Sequence, residues 1–433
     1  MLLRTPLSRG IFQPPAAAVT DDGPRRVLVY THDTYGLGNI RRMLAVAEAL
    51  VASDPRIHVL LITGSPMVQG FRVAPRIDFV KLPCLERDEA GRYGVRALPM
   101  SLKSLIGLRA RLIRDTVRAF RPHLLLVDKK PLGIKGELRP AIEALARLPR
   151  RPAMALLLRD ILDAPEVTWR VWERHRYHEV LRRHYDLVLV AGQPELFDLA
   201  REYRFPLSSR RLVRYCGYIR RLELERCPAA HPVGDGARVL VTVGGGADGA
   251  HLIRTYLQGL ARGQGRFALR SRIITGPELA ADTRAELEAL ARRVPGQRLE
   301  TFCEQMPQAL AEADLVVSMC GYNSICEVLG SGRRSVVVPR IRPVAEQWIR
   351  ARRFAAKGLV DLLHPDEVTE ERLLQTIDAA LAAPPPPVDE VLDMEGLTRI
   401  THWVWRLLRL QAEGVAAAPY HSFFHGQRSL AHG

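Results

Sequence analysis

Residues 318–348 read SMCGYNSICEVLGSGRRSVVVPRIRPVAEQW. The stretch opens with a polar turn containing Gly321 and runs through a short helix whose single acid is Glu327. It then enters an apolar strand over 335–339, followed by a Pro-containing turn and the pair Glu346-Gln347. Strand, turn, helix and strand in that order set one carboxylate and one amide-bearing turn at the same edge of a parallel sheet.

The same alternation runs outward in both directions. In the first half, strands are predicted over 27–30, 57–63, 77–81, 124–127, 153–158 and 186–190, with helices over 40–51, 102–120, 169–184 and 195–203. After a Pro- and Gly-punctuated connection the pattern starts afresh, with strands over 238–243, 271–275, 298–301, 315–318 and 335–338. Such alternation predicts an α/β chain of two Rossmann-like, doubly wound parallel-sheet domains facing a cleft. The expected division is a disordered leader over 1–23, a first domain over 24–220 and a second over 221–386. A C-terminal helical segment over 387–412, after the Pro run 384–387, is free to pack back on the first domain. A disordered tail over 413–433 ends the chain.

At 433 residues and 47% apolar composition, the chain can build two cores. Its six cysteines have no CxxC or zinc-like spacing, which points to free thiols in a reducing compartment. No apolar run reaches the ~18 residues of a membrane span, and the first 23 residues lack a signal-peptide core. A cytoplasmic protein is expected, with peripheral contact at the inner face of the cytoplasmic membrane as a further option. The net charge of +16 suits an anionic partner such as an acidic membrane surface. Lysine, however, occurs only at 81, 103, 129, 130, 135 and 357, and arginine spread so evenly is no footprint for nucleic acid, which is disfavoured as a partner.

In open parallel sheets ligands bind where strands lead into helix N-termini. Two such loops are glycine-rich: THDTYGLGNIRRM at 31–43 and GGGADGA at 244–250. Each offers N–H groups and a helix dipole to an anion. Strand-to-helix turns use glycine anyway, so it is the pairing of two loops at equivalent places that argues for a ligand. NAD is disfavoured, because the first loop lacks a full GxGxxG and no acid follows the second strand.

From 238 to 363, and most of all over GGADGA and residues 301–359, the chain resembles the C-terminal domain of glycosyltransferase family 28. The resemblance implies a GT-B architecture, with the sugar nucleotide held mainly by the second domain and the acceptor by the first. It implies a nucleoside-diphosphate sugar as donor, UDP-linked by expectation, and no cofactor. Glu327 matches the family's ribose-binding acid, a role suited to a carboxylate that can accept from two hydroxyls. Glu346 and Gln347 fall where the family contacts the donor sugar. Glu346 replaces the Gln of the best-known member, which speaks against N-acetylglucosamine. Phe302 and Cys303 match the base-binding turn. The diphosphate falls to Gly245, Gly246, Gly249 and Ala250, to the turn Gly321, Asn323 and Ser324, and to Arg221, with its neighbour Arg220.

The implied reaction transfers a glycosyl group to an acceptor hydroxyl with inversion, and it needs a base and positive potential at the departing diphosphate. No Asp-x-Asp follows a strand, so a metal-independent route is expected. On the acceptor-side loop Gly36, Gly38 and Asn39, asparagine stands where related enzymes carry histidine. Candidates for the base are then His32, Asp33, Asp128 and Asp160, each at the carboxyl end of a predicted strand. The acceptor is an unidentified hydroxyl compound, a lipid-linked one among the options. The helix over 102–120, apolar at 105, 108, 112, 113 and 117, suits either a membrane surface or simple packing on its sheet. Rival readings are a non-catalytic sugar-nucleotide sensor, a basic nucleic-acid binder and a sugar-nucleotide 2-epimerase.

Overall fold

The computed structural model describes residues 23–32, 37–88, 92–220, 236–246, 248–263 and 268–413. Most of the expected leader and of the expected tail, and the candidates Asp33, Gly36 and Arg221, lie outside them.

Along the chain come β1 (Arg25–Tyr30), α1 (Leu37–Ser53), β2 (Ile57–Thr63), β3 (Ile77–Lys81) and the antiparallel pair β4 (Leu85–Arg87) and β5 (Tyr93–Val95). There follow α2 (Leu102–Phe120), β6 (Leu124–Asp128), α3 (Arg139–Ala146), β7 (Ala153–Arg159), α4 (Pro165–Arg174), α5 (Tyr177–His184), β8 (Leu187–Ala191), α6 (Leu199–Glu202), α7 (Leu207–Arg210) and β9 (Val213–Tyr215). The seven parallel strands lie in the order β3-β2-β1-β6-β7-β8-β9. β6 and β8 are buried throughout, which is why they read as unbroken apolar runs: helices cover both faces.

The second domain holds β10 (Ala237–Thr242), α8 (Ala250–Arg262), β11 (Leu269–Ile274), α9 (Ala281–Ala291), β12 (Gln297–Glu300), α10 (Met306–Glu312), β13 (Leu315–Ser318), α11 (Tyr322–Gly330), β14 (Arg334–Val337), α12 (Glu346–Ala355), β15 (Asp361–Leu362) and α13 (Glu370–Ala382). Its parallel order is β12-β11-β10-β13-β14-β15. The order reverses between β1 and β6 in one sheet and between β10 and β13 in the other, and a crevice opens at each reversal.

Three expected helices differ. The helix expected over 169–184 is two, α4 and α5, broken where Arg176 adopts left-handed backbone at φ 52°. The break lets Trp172 and Tyr177 meet edge to face at 5.6 Å, a tertiary gain that periodicity does not register. The one over 195–203 shrinks to α6, capped by the Asp198 carboxylate, which accepts from Arg201 N–H. The last helical stretch splits into α14 (Val388–Val391) and α15 (Gly396–Ala412), because the intervening residues bind the interdomain connection: Tyr218 N–H donates to Asp393 O at 2.6 Å.

α15 then packs on the first domain, where the Arg25 guanidinium donates to Leu408 O at 3.0 Å and Gln411 to Arg151 O at 2.8 Å. α2 lays Leu105, Ile113 and Val117 on its own domain, with Arg109 buried in a two-pronged pair with Glu137 at 2.6 and 2.8 Å. Its apolar face is thereby occupied, apart from the exposed Leu112. Among the described residues no helix is long and apolar enough to cross a membrane.

Candidate active site

After β10 the chain turns through Gly244, Gly245 and Gly246. Gly246 has φ 96°, and a Cβ there would stand 2.2 Å from Thr275 O, so a side chain would force this loop off the turn that follows β11. Glu278 N–H donates to Gly245 O at 2.9 Å and locks the two turns together. Gly249 and Ala250 open α8 behind that loop, where Gly249 leaves room for Val243.

Shortly after β13, Gly321 caps the N-terminus of α11, and Gly321, Asn323 and Ser324 wall the same cleft. Glu327, one turn into the helix, is buried yet lines it. Phe302 presents a ring with 41% exposure beside the buried Cys303, an open aromatic face at the rim. Glu346 and Gln347 close the cleft from the start of α12; Gln347 Oε1 accepts from Arg340 N–H at 2.9 Å. Glu346 is buried, and its carboxylate meets the Arg159 guanidinium at 2.5 Å. Burial alone would raise its pKa, but Arg159, Arg350 and Lys129 outweigh that and hold it below the ordinary value.

The cleft thus collects Gly245, Gly246, Phe302, Cys303, Gly321, Asn323, Ser324, Glu327, Glu346 and Gln347 from four separate segments, each following a strand of the second sheet. Arg220, by contrast, faces Glu395 at 3.8 Å and does not line it. Sequence reasoning missed Arg340, paired with Asp248 at 2.7 Å, and Arg159. It also missed Glu278, whose carboxyl is pushed up by burial and by Asp248. Arg159 ends β7 and Arg340 follows β14, both at strand carboxyl ends where ligands bind, but the abundance of arginine hides that signal.

From the first domain, Gly38 and Asn39 form the opposite wall, and Asn323 Nδ2 reaches across to donate to Gly38 O at 2.5 Å. The Asn39 side chain braces its own loop, donating to His32 O at 2.7 Å and accepting from Arg42 at 3.3 Å. Asp128 is buried, held by Arg42 at 2.6 Å and by His32 N–H at 3.2 Å. Asp160 is equally committed, to the buried Arg350 of the other domain at 2.7 and 2.8 Å. His32 is buried, with Nε2 3.2 Å from Tyr93 Oη and Nδ1 unpartnered. Burial, then the Lys129, Lys130 and Arg87 cations, push its pKa well down, so the imidazole is neutral.

Two Rossmann-like domains facing a cleft with a nucleotide-sized pocket in the second define the GT-B class of fold. Within that class, residues 239–388 match the Glycosyltransferase family 28 C-terminal domain. A UDP-N-acetylglucosamine–N-acetylmuramyl-(pentapeptide) pyrophosphoryl-undecaprenol N-acetylglucosamine transferase of Xanthomonas campestris pv. campestris (strain 8004) is 32% identical over 159 residues, 36% of each chain. The chain thus spans about a third of that relative's length. The transferase of the same name from Solidesulfovibrio magneticus is 27% identical over 327 residues, 72% of this chain and 77% of that protein. The structure superposes on that of Acinetobacter baumannii MurG with a TM-score of 0.56 at 15% identity, covering 88% of this chain and all of the other. A putative UDP-N-acetylglucosamine 2-epimerase of Listeria monocytogenes shares the fold at a TM-score of 0.58 and 13% identity, covering 91% and 98%.

Proposed function

We propose that this protein is an inverting, metal-independent glycosyltransferase that moves a sugar from a UDP-sugar to an acceptor hydroxyl. The observation that carries the reading is the joint placing of Glu327, the N-terminus of α11, the open face of Phe302 and the Glu346-Gln347 pair around one pocket. Each suits one part of a nucleotide sugar: a carboxylate for ribose hydroxyls, amides and a helix dipole for diphosphate, a ring for the base, and a carboxylate with an amide for sugar hydroxyls.

In this reading the acceptor oxygen attacks the anomeric carbon while the bond to the diphosphate breaks, and the departing charge develops toward the amides of Gly321–Ser324 and the glycine loop after β10. The hydroxyl proton goes to the His32-Asp33 dipeptide at the end of β1. Asp128 and Asp160 are committed to guanidinium groups, and we assign them to the framework. The relatives' name carries a pyrophosphoryl-undecaprenol acceptor, so a lipid-linked acceptor met at the inner face of the cytoplasmic membrane is the first to try. The 2-epimerase reading rests on shared fold alone, whereas the family match covers the donor-binding domain itself.

The test is calorimetric titration with UDP-, dTDP- and GDP-sugars. A UDP-sugar should bind, and Glu327→Ala should weaken it by about 10- to 100-fold, the loss expected for hydrogen bonds to a buried charge. Equal affinity in the variant, or binding of no nucleotide sugar, would sink the proposal. His32→Ala and Asp33→Ala, made separately, identify the base: it is the one whose loss lowers kcat by about 10²–10⁴ with donor affinity kept.

A further inference from the structure

Four arginines line the donor pocket: Arg41 and Arg42 from α1, Arg159 at the end of β7 and Arg340 beyond β14. Carboxylates answer three of them: Asp128 holds Arg42 at 2.6 Å, Glu346 holds Arg159 at 2.5 Å and Asp248 holds Arg340 at 2.7 Å. No described carboxylate forms an ion pair with Arg41, although Glu278 and Glu327 line the same pocket. Its Nε is nevertheless buried without an acceptor among the described residues. Part of this guanidinium has left water with no protein group in its place, a cost that a ligand acceptor at its other N–H groups would offset.

Arg41 belongs to the first domain, two residues beyond Asn39 near the start of α1. What it faces belongs to the second. Burial pushes the Cys303 thiol up, and Arg272 and Arg41 are the cations that work against it, which sets the Arg41 charge beside the turn after β12. That turn carries the open ring of Phe302, and Met306 and Leu310 of the following helix α10 also line the pocket. At the other end Arg340 N–H donates to Gln347 and Arg159 meets Glu346. The unpaired cation therefore stands at the aromatic, base end of the pocket, and Arg159 and Arg340 at the sugar end.

We propose that Arg41 selects the base of the donor: its guanidinium donates to the C4 oxygen of a uracil stacked on Phe302 and rejects cytosine, which carries an amine at the same position. The proposal rests on the nucleotide-sugar reading of this pocket, and adds that the first domain reads the base across the cleft. In a pyrimidine nucleotide C4 lies opposite the bond to ribose, so with ribose at Glu327 the C4 edge is the part that reaches furthest toward the Cys303 turn. A guanidinium has donors only. It matches the acceptor that uracil presents at C4 and opposes the donor that cytosine presents there. A site built around such a hydrogen bond discriminates strongly, because the wrong base leaves a desolvated group unpaired.

The experiment titrates the full-length protein with UDP and with CDP by calorimetry. Wild type should bind UDP at least about tenfold more tightly than CDP. Arg41→Met should weaken UDP by about 10- to 100-fold, the loss expected for a hydrogen bond from a charged group, and leave CDP nearly unchanged. Arg41→Glu, whose carboxylate can accept from the cytosine amine, should bind CDP more tightly than UDP. Arg41→Gln, which can both donate and accept, should bind the two alike, and it decides the matter if the methionine variant does not fold. Equal weakening of UDP and CDP by Arg41→Met would make Arg41 a phosphate contact or a structural residue, and would overturn the inference. So would wild-type selectivity kept in the glutamine variant. UDP binding that depends on Glu327 but not on Arg41 removes this inference alone, whereas a wild type that binds neither nucleotide removes the donor reading with it.

Discussion

Lys129 stands where β6 gives way to the cleft, and its charge is disfavoured there by burial and by Arg159. Its folded pKa of about 7 lies below the unfolded value of 10.5. Between those values the unfolded chain holds a proton that the folded chain lacks, so this lysine opposes folding at neutral pH and ceases to do so above about 10.5. Lys129→Met should therefore stabilise the protein at pH 7 by on the order of 2 kcal/mol after screening, with the gain fading toward pH 10.5. Urea unfolding at both pH values checks this, and a constant difference would contradict it. The same cations depress His32, so a bound anionic substrate that neutralised them would make the imidazole a better base. If His32 proves to be the base, the acid limb of kcat should then lie at higher pH than that of kcat/KM, since the first reports the complex and the second the free enzyme. Coincident limbs would mean that bound substrate leaves the cations around His32 uncompensated.

α12 shows how one element serves both domains. Its first turn carries Glu346 and Gln347 into the donor pocket, and one turn later Arg350 buries its guanidinium against Asp160 of the first domain. Asp160→Ala would strand that charge, and a loss of about 3–5 kcal/mol is expected, against a much smaller one for Asp160→Leu/Arg350→Met. Equal losses in denaturant titrations would mean that the pair is not a buried latch. None of this partnership was legible in the sequence, since Asp160 reads only as an acid after an apolar strand. What was legible is whatever local pattern dictates. β2 and β3 begin and end as expected because period and turn residues agree there, and Glu327 reads correctly as a cleft acid because its helix follows a buried strand directly. The α4–α5 break, the β4–β5 hairpin and the gathering of Arg87, Lys129 and Lys130 arise from contacts between distant segments, which leave no periodic mark.

At the scale of the whole molecule, the chain order and the packing order disagree. α15 follows the second domain in sequence, yet it lies on the first, and Ile400, Val404, Leu407 and Leu408 are almost wholly buried. Burying four such side chains contributes about 6–12 kcal/mol, as much as the net stability of a typical domain. The segment that leads to it, around Asp393, is bonded to the interdomain connection at Tyr218. The helix therefore fastens the two domains around the cleft, and neither can unfold without releasing it. Calorimetry of the full chain should show one main transition, which UDP shifts upward as a whole because ligand binding to one domain is felt by both. Deleting 388–433 should lower the first domain's transition, separate it from the second, and confine the UDP shift to the second. Two separate transitions in the intact chain, with UDP moving only one, would show instead that the domains are independent and that α15 merely covers the first.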